Sequence, residues 1–89
     1  ALDADAGMLF DFRTDGIARM WMKNTYIPLD MLFIRSDGII TNVAHDTVPH
    51  STAVIASDGP VRYVLEINAG LAKKLGIKKG NRVSLPKDP

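Results

Sequence analysis

The sequence predicts a mainly β domain with one short helix, and three observations carry that prediction. Apolar residues fall into short runs, such as Met8-Leu9-Phe10, Met31-Leu32-Phe33-Ile34 and Val61 to Ile67. Asp-Gly pairs, strong turn signals, punctuate these runs at Asp15-Gly16, Asp37-Gly38 and Asp58-Gly59. The hydrophobic period switches from strand-like to helical only once, after Ile67. Together they give an α+β, barrel-like domain: an antiparallel or mixed sheet of about seven short strands, with the helix near the C-terminus.

Residues 1 to 7 are small and acidic, a segment expected to fray unless something packs on it. Met8 to Phe12 reads as a strand. Thr14-Asp15-Gly16 reads as a turn, and Ile17 to Met22 as the strand that returns antiparallel to the first. Met31 to Ile34 is continuously apolar, as a strand buried on both faces should be. Ser36-Asp37-Gly38 turns the chain into Ile39 to Val43. Ala44 to Ser51, with both histidines and Pro49, is a loop. Thr52 to Ala56 is a short strand, and Ser57 to Pro60 is a third turn. Val61, Tyr63, Leu65 and Ile67 then alternate with Arg62 and Glu66, a pattern expected of a strand with one wet face. Asn68 is an expected N-cap for a helix over Ala69 to Leu75, with Leu71, Ala72 and Leu75 on one face and Gly76 at its C-cap. So short a helix must dock its apolar face to persist. A last strand is expected over Arg82 to Leu85.

Composition narrows the function classes. Eighty-nine residues make one domain with a single modest core. The chain has no cysteine, which excludes disulfides, thiolate metal sites and a cysteine nucleophile. A net charge of +1 argues against a nucleic-acid partner. The basic excess lies late in the chain. Lys73-Lys74 and Lys78-Lys79 read first as a solvated surface and second as an anion-facing patch. No stretch approaches the roughly 18 apolar residues of a membrane span.

Chemistry concentrates in Trp21 to Asp30, which holds the one tryptophan, the Asn24-Thr25 pair, Pro28 and Asp30. One reading makes this a recognition site for a small polar ligand or peptide, in which an indole face and a few aimed polar groups grip the ligand. The site residues are then Trp21, Asn24, Thr25 and Asp30, joined by Arg62 and Tyr63. The other reading is architectural: Trp21 fills the core, Asn24 and Thr25 satisfy turn backbone, and Asp30 caps nearby N–H groups. His45, Asp46 and His50 could ligate a metal only if their loop folded them together, and no metal or cofactor is expected. Ser51 and Ser57 lack a nucleophile context, and no catalytic residue is assigned. Carboxylates for hydrolysis would come from Asp11, Asp30, Asp37 or Glu66. The glycines of Gly76 to Gly80 follow a helix instead of preceding one, so they make a C-cap and a turn rather than a phosphate loop.

Five segments, in order, resemble the bacterial and archaeal family called domain of unknown function 192: GMLF at Gly7, WMKNTYIPLDMLFI at Trp21, the Asp37-Gly38-Ile39 turn, VLEINAG at Val64 and LGIKKGNRV at Leu75. Pro49 also fits. The run WMKNTYIPLD is far more specific than any glycine motif. The resemblance implies a small barrel-like β fold with one helix and an extracytoplasmic, for example periplasmic, location, and it assigns no activity. Relative to the family this chain is expected to lack an N-terminal strand segment, which leaves a sheet edge open; the expectation is either that a second copy fills it in a homo-oligomer or that this chain is a fragment whose remainder was lost. The leading expectation is a non-catalytic binding or accessory domain. The alternatives are a hydrolase using carboxylates or a loop-bound metal, and a structural module that completes its sheet with a partner chain.

Overall fold

The computed structural model of the protein describes residues 7–85. Six strands and one helix follow in chain order: β1 (Gly7–Gly16), β2 (Arg19–Met20), β3 (Leu29–Ile34), β4 (Ile40–Ala44), β5 (Ile55–Ala56), β6 (Val61–Asn68) and α1 (Leu71–Lys74). An antiparallel sheet runs in the order β1-β6-β3-β4, and β2 pairs with β5 in a separate ribbon. The mainly β architecture with a short helix near the C-terminus is as the sequence predicts. Among the described residues, however, the sheets do not close into a barrel.

The central strands explain the apolar runs. Every residue of β3 is buried, because side chains of a strand alternate between faces and both faces of this sheet are covered. One face carries Leu29, Met31, Phe33 and Val64, packed with Ala18, Met22 and Val61. The opposite face carries Leu32, Ile34, Tyr63 and Ile67, packed with Ile40 and with Ala72 of α1, and flanked by Ile77, Val83 and Leu85. The molecule is therefore layered: ribbon and loops, then sheet, then helix and C-terminal tail. β6 has no wholly wet face, since Val64 is fully buried.

Several elements differ from expectation for physical reasons. Asp15-Gly16 makes no hairpin. Gly16 instead pairs with Val61 at the end of β1, and the chain crosses to the ribbon. There the Ser57 hydroxyl accepts the Ala18 N–H at 2.9 Å and donates to the Gly59 carbonyl at 2.8 Å. Asp37-Gly38 does close the β3–β4 hairpin, with Gly38 at φ 90° and its N–H donating to the Arg35 carbonyl. The last strand shrinks to a bridge between Ile39 and Arg82. Asn68 ends β6 rather than capping the helix. The residue before α1 is Gly70, at φ 89°. The left-handed Gly76 after the helix is as expected, with φ 70°.

Candidate functional site

The connection from Met20 to Leu29 is held by backbone bonds to the loop before β5. Met22 donates to the Ser51 carbonyl at 3.0 Å, and His50 donates to the Thr25 carbonyl at 3.1 Å. The Thr47 hydroxyl donates to the Leu29 carbonyl at 2.9 Å and accepts the Leu29 N–H at 3.2 Å. These bonds point Met22 into the core and its neighbour Trp21 outward. Trp21 is 52% exposed, so it is not the core ring of the architectural reading. The Lys23 ammonium lies over the indole, 5.2 Å from its centroid. Tyr26 is also exposed and meets the His50 ring edge-on at 4.9 Å.

Asp30 takes the architectural role. It is completely buried in the middle layer, and one carboxylate oxygen accepts the Asp46 N–H at 2.9 Å. The other oxygen accepts the N–H groups of Gly70 at 3.1 Å and Ala72 at 3.0 Å, capping α1 from a distant strand. A carboxylate occupied by three backbone donors is a structural anchor.

The main hollow lies on the other face. It is an apolar groove of about 660 Å³, lined by Met8 and Phe10 of β1, the Asn24–Ile27 connection, Leu29 and Glu66. In the sheet Met8 and Met31 stand across from Glu66 on either side. Burial pushes the Glu66 carboxyl above its ordinary value, and no charged group offsets that effect. A second, smaller hollow of about 290 Å³ is lined by Asp30, His45, Asp46, Ala69, Gly70 and Lys73.

The six residues singled out in the sequence do not form one site. Asn24 and Thr25 line the groove, whereas Asp30 faces the opposite side of the sheet, because it directly precedes Met31 in a strand. Tyr63 belongs to the core on the helix side. Arg62 forms a two-pronged ion pair with Asp11, at 3.0 and 3.2 Å, and holds that carboxyl below its ordinary value. Its guanidinium also lies 5.0 Å from the Tyr63 ring centre. A hydrolytic pair of Asp30 and Glu66 is not assembled, since the two lie on opposite faces. His45 and His50 are apart as well, one in the smaller hollow and the other on Tyr26. Among the described residues no three His, Cys, Asp or Glu side chains converge as metal ligands. Glu66 is the residue that sequence reasoning placed on a wet strand face. The available signal was an acid lodged between Leu65 and Ile67 in an otherwise apolar strand.

Fold and site define a small, mainly antiparallel β structure with a carboxylate-anchored helix and an apolar groove. The chain belongs to the domain of unknown function 192 family, described as an uncharacterised ACR family, whose sequence model matches residues 1–85. It is similar to a solved structure from Sinorhizobium meliloti 1021, described provisionally as a transcription regulator. That likeness has 56% identity and a TM-score of 0.89 and covers 92% of this chain and 64% of that one. It is also similar to a protein of unknown function from Novosphingobium aromaticivorans DSM 12444, at 41% identity and a TM-score of 0.91, covering 96% of this chain and 61% of that one. The chain thus spans less than two thirds of the length of either structure. No curated protein matches it.

Proposed function

We propose that the protein is a non-catalytic, extracytoplasmic binding domain whose ligand lies in the groove between β1 and the Asn24–Ile27 connection. The ligand is mainly apolar and carries one cationic group. The observation that supports this is Glu66, a half-buried carboxylate among Met8, Phe10 and Leu29, with no positive side chain among the described residues that line the groove. A desolvated acid without a counter-charge is costly to keep, and a ligand cation would offset that cost. Asn24 and Thr25 supply hydrogen-bonding groups along one wall. The extracytoplasmic setting rests on the family resemblance. A nucleic-acid role, after the description of the Sinorhizobium structure, is less favoured, because the groove presents an acid and the net charge is only +1.

The test is a series of primary alkylamines titrated into isotope-labelled protein and followed by NMR. Affinity is expected to rise with chain length, by up to about 0.8 kcal/mol per buried methylene. Shifts should centre on Met8, Phe10, Leu29 and Glu66, and Glu66→Gln should weaken binding about tenfold or more, as loss of a charge-assisted contact does. Binding should tighten as pH rises through the Glu66 pKa, since the ionised form is the one that attracts the amine. Indifference to Glu66→Gln would remove the proposal.

A further inference from the structure

Positive charge gathers in the helix and the tail that follows it. From Asn68 to Leu85 the chain carries five basic residues and no acid, whereas residues 1–66 hold nine acids and five bases. Local geometry turns that charge outward. The Leu75 N–H closes α1 on the Leu71 carbonyl at 2.9 Å. Beyond it the Gly76 N–H donates to the Lys73 carbonyl at 3.1 Å, and the Ile77 N–H to the Ala72 carbonyl at 2.8 Å. This paired closure, with Gly76 at φ 70°, folds Ile77 back toward Ala72 in the helix-side core. Lys73, Lys74 and Leu75 before it, and Lys78 and Lys79 after it, are all exposed. A second turn fixes the later pair. The Asn81 side chain accepts the Lys78 N–H at 2.9 Å, and the Gly80 N–H donates to the Ile40 carbonyl of β4 at 2.9 Å. Lys74 and Lys78 are four positions apart, so their Cα atoms are at most about 14 Å from each other. Between them Leu75 is 61% exposed.

We infer that Lys73, Lys74, Leu75, Lys78 and Lys79 form a surface that docks on an anionic phospholipid bilayer, with Leu75 at the acyl boundary and the lysines on the headgroup phosphates. This is independent of the groove reading. Each ammonium held near an anionic membrane strengthens binding by about fivefold. The long lysine stems let those ammonium groups stay at the phosphates while the leucine between them dips below. Asp46 borders the smaller hollow together with Lys73 and tempers its charge, so Lys78 and Lys79 should contribute most. The leucine is what selects a bilayer over a soluble polyanion. Nucleic acid offers no apolar layer to receive it, and Asn68 to Leu85 holds no aromatic side chain on which bases would stack.

The test is flotation of the full chain with two kinds of vesicle, phosphatidylcholine alone and phosphatidylcholine mixed with an equal part of phosphatidylglycerol. The protein should float with the mixed vesicles, stay behind with the neutral ones, and detach as salt rises. Lys78→Gln combined with Lys79→Gln should weaken binding about twentyfold. Arg19→Gln combined with Lys23→Gln removes the same charge from exposed positions in the ribbon-and-loop layer, and should weaken it by less than about threefold. Leu75→Ser should weaken it by about fivefold or more. All the substituted side chains are exposed, so folding should be undisturbed. Equal binding to both vesicles would overturn the inference, and so would equal losses from the two double variants. Leu75→Ser without effect would overturn the seating of the leucine, and with it the preference for a bilayer. A duplex DNA oligonucleotide that binds through Lys78 and Lys79 while mixed vesicles do not would overturn the membrane in favour of a soluble polyanion.

Discussion

Removing the negative charge of Asp30, without changing its shape, probes the anchor of the helix layer. Asp30→Asn replaces one acceptor oxygen with an NH₂ donor. The carboxylate serves Asp46 with one oxygen and Gly70 and Ala72 with the other, so asparagine can satisfy only one side. Turned toward the helix, it leaves the Asp46 N–H facing a donor. Turned the other way, it strands two amides. Hydrogen bonds to a charged group contribute about 1.5–3 kcal/mol each, and an orphaned buried donor costs a similar amount. The expected loss is therefore about 2–3 kcal/mol for Asp30→Asn and about 4–5 kcal/mol for Asp30→Ala, which strands all three donors. Small domains have only about 5–15 kcal/mol in total, so the alanine variant should be near the edge of folding. For the asparagine variant the melting temperature should fall by about 4–8 °C per kcal/mol lost. Urea unfolding followed by circular dichroism measures the loss. Hydrogen exchange at Ala72 localises it, and Asp58→Asn on the surface serves as the control. A midpoint for Asp30→Asn that matches wild type within about 0.5 kcal/mol would refute the anchoring role.

Three further outcomes are expected. A Cβ on Gly38 would lie 2.6 Å from the Val83 carbonyl oxygen at φ 90°, whereas one on Gly59 meets nothing within 4 Å. Gly38→Ala should thus cost about 2 kcal/mol or more and Gly59→Ala about 1 kcal/mol, read as the difference in their denaturation midpoints. Trp21→Ala should change stability by less than about 1 kcal/mol, while Phe33→Ala, which empties the core, should cost about 3–5 kcal/mol. Iodide should quench the exposed indole readily in the native protein. Glu66, whose folded pKa is raised by burial, favours the folded state when protonated. Wild type should therefore lose stability relative to Glu66→Gln as pH rises from the ordinary glutamate range through the raised folded value, and parallel unfolding curves would contradict this.

Legibility in the sequence followed how local the cause was. The apolar run of β3, the Asp37-Gly38 hairpin and the left-handed Gly76 were readable, because strand burial, turn geometry and helix termination act over a few residues. Asp15-Gly16 misled, since Gly16 is taken up in the pairing of β1 with Val61 of β6 instead of turning the chain back on β1. Asn68 looked like a helix cap, but the capping oxygen comes from Asp30, on a strand far earlier in the chain. Trp21 and Met22 are adjacent and apolar, and no local rule says which of them turns inward. The backbone bond from Met22 to Ser51 decides that.

By itself, the sequence determined that this is a cysteine-free, mainly β fold, where its long apolar strands lie, and which family it belongs to. Period, turn residues and motif order are properties of neighbouring positions and need no partner. Tertiary structure decided what the acids do. In a strand, consecutive residues face opposite ways, and the pairing of β3 with β6 turns Asp30 toward the helix and Glu66 toward the groove. One carboxylate is thereby spent on backbone amides and the other has no counter-charge among the described residues, a difference set by which surfaces cover the sheet and not by the chemistry of the residues.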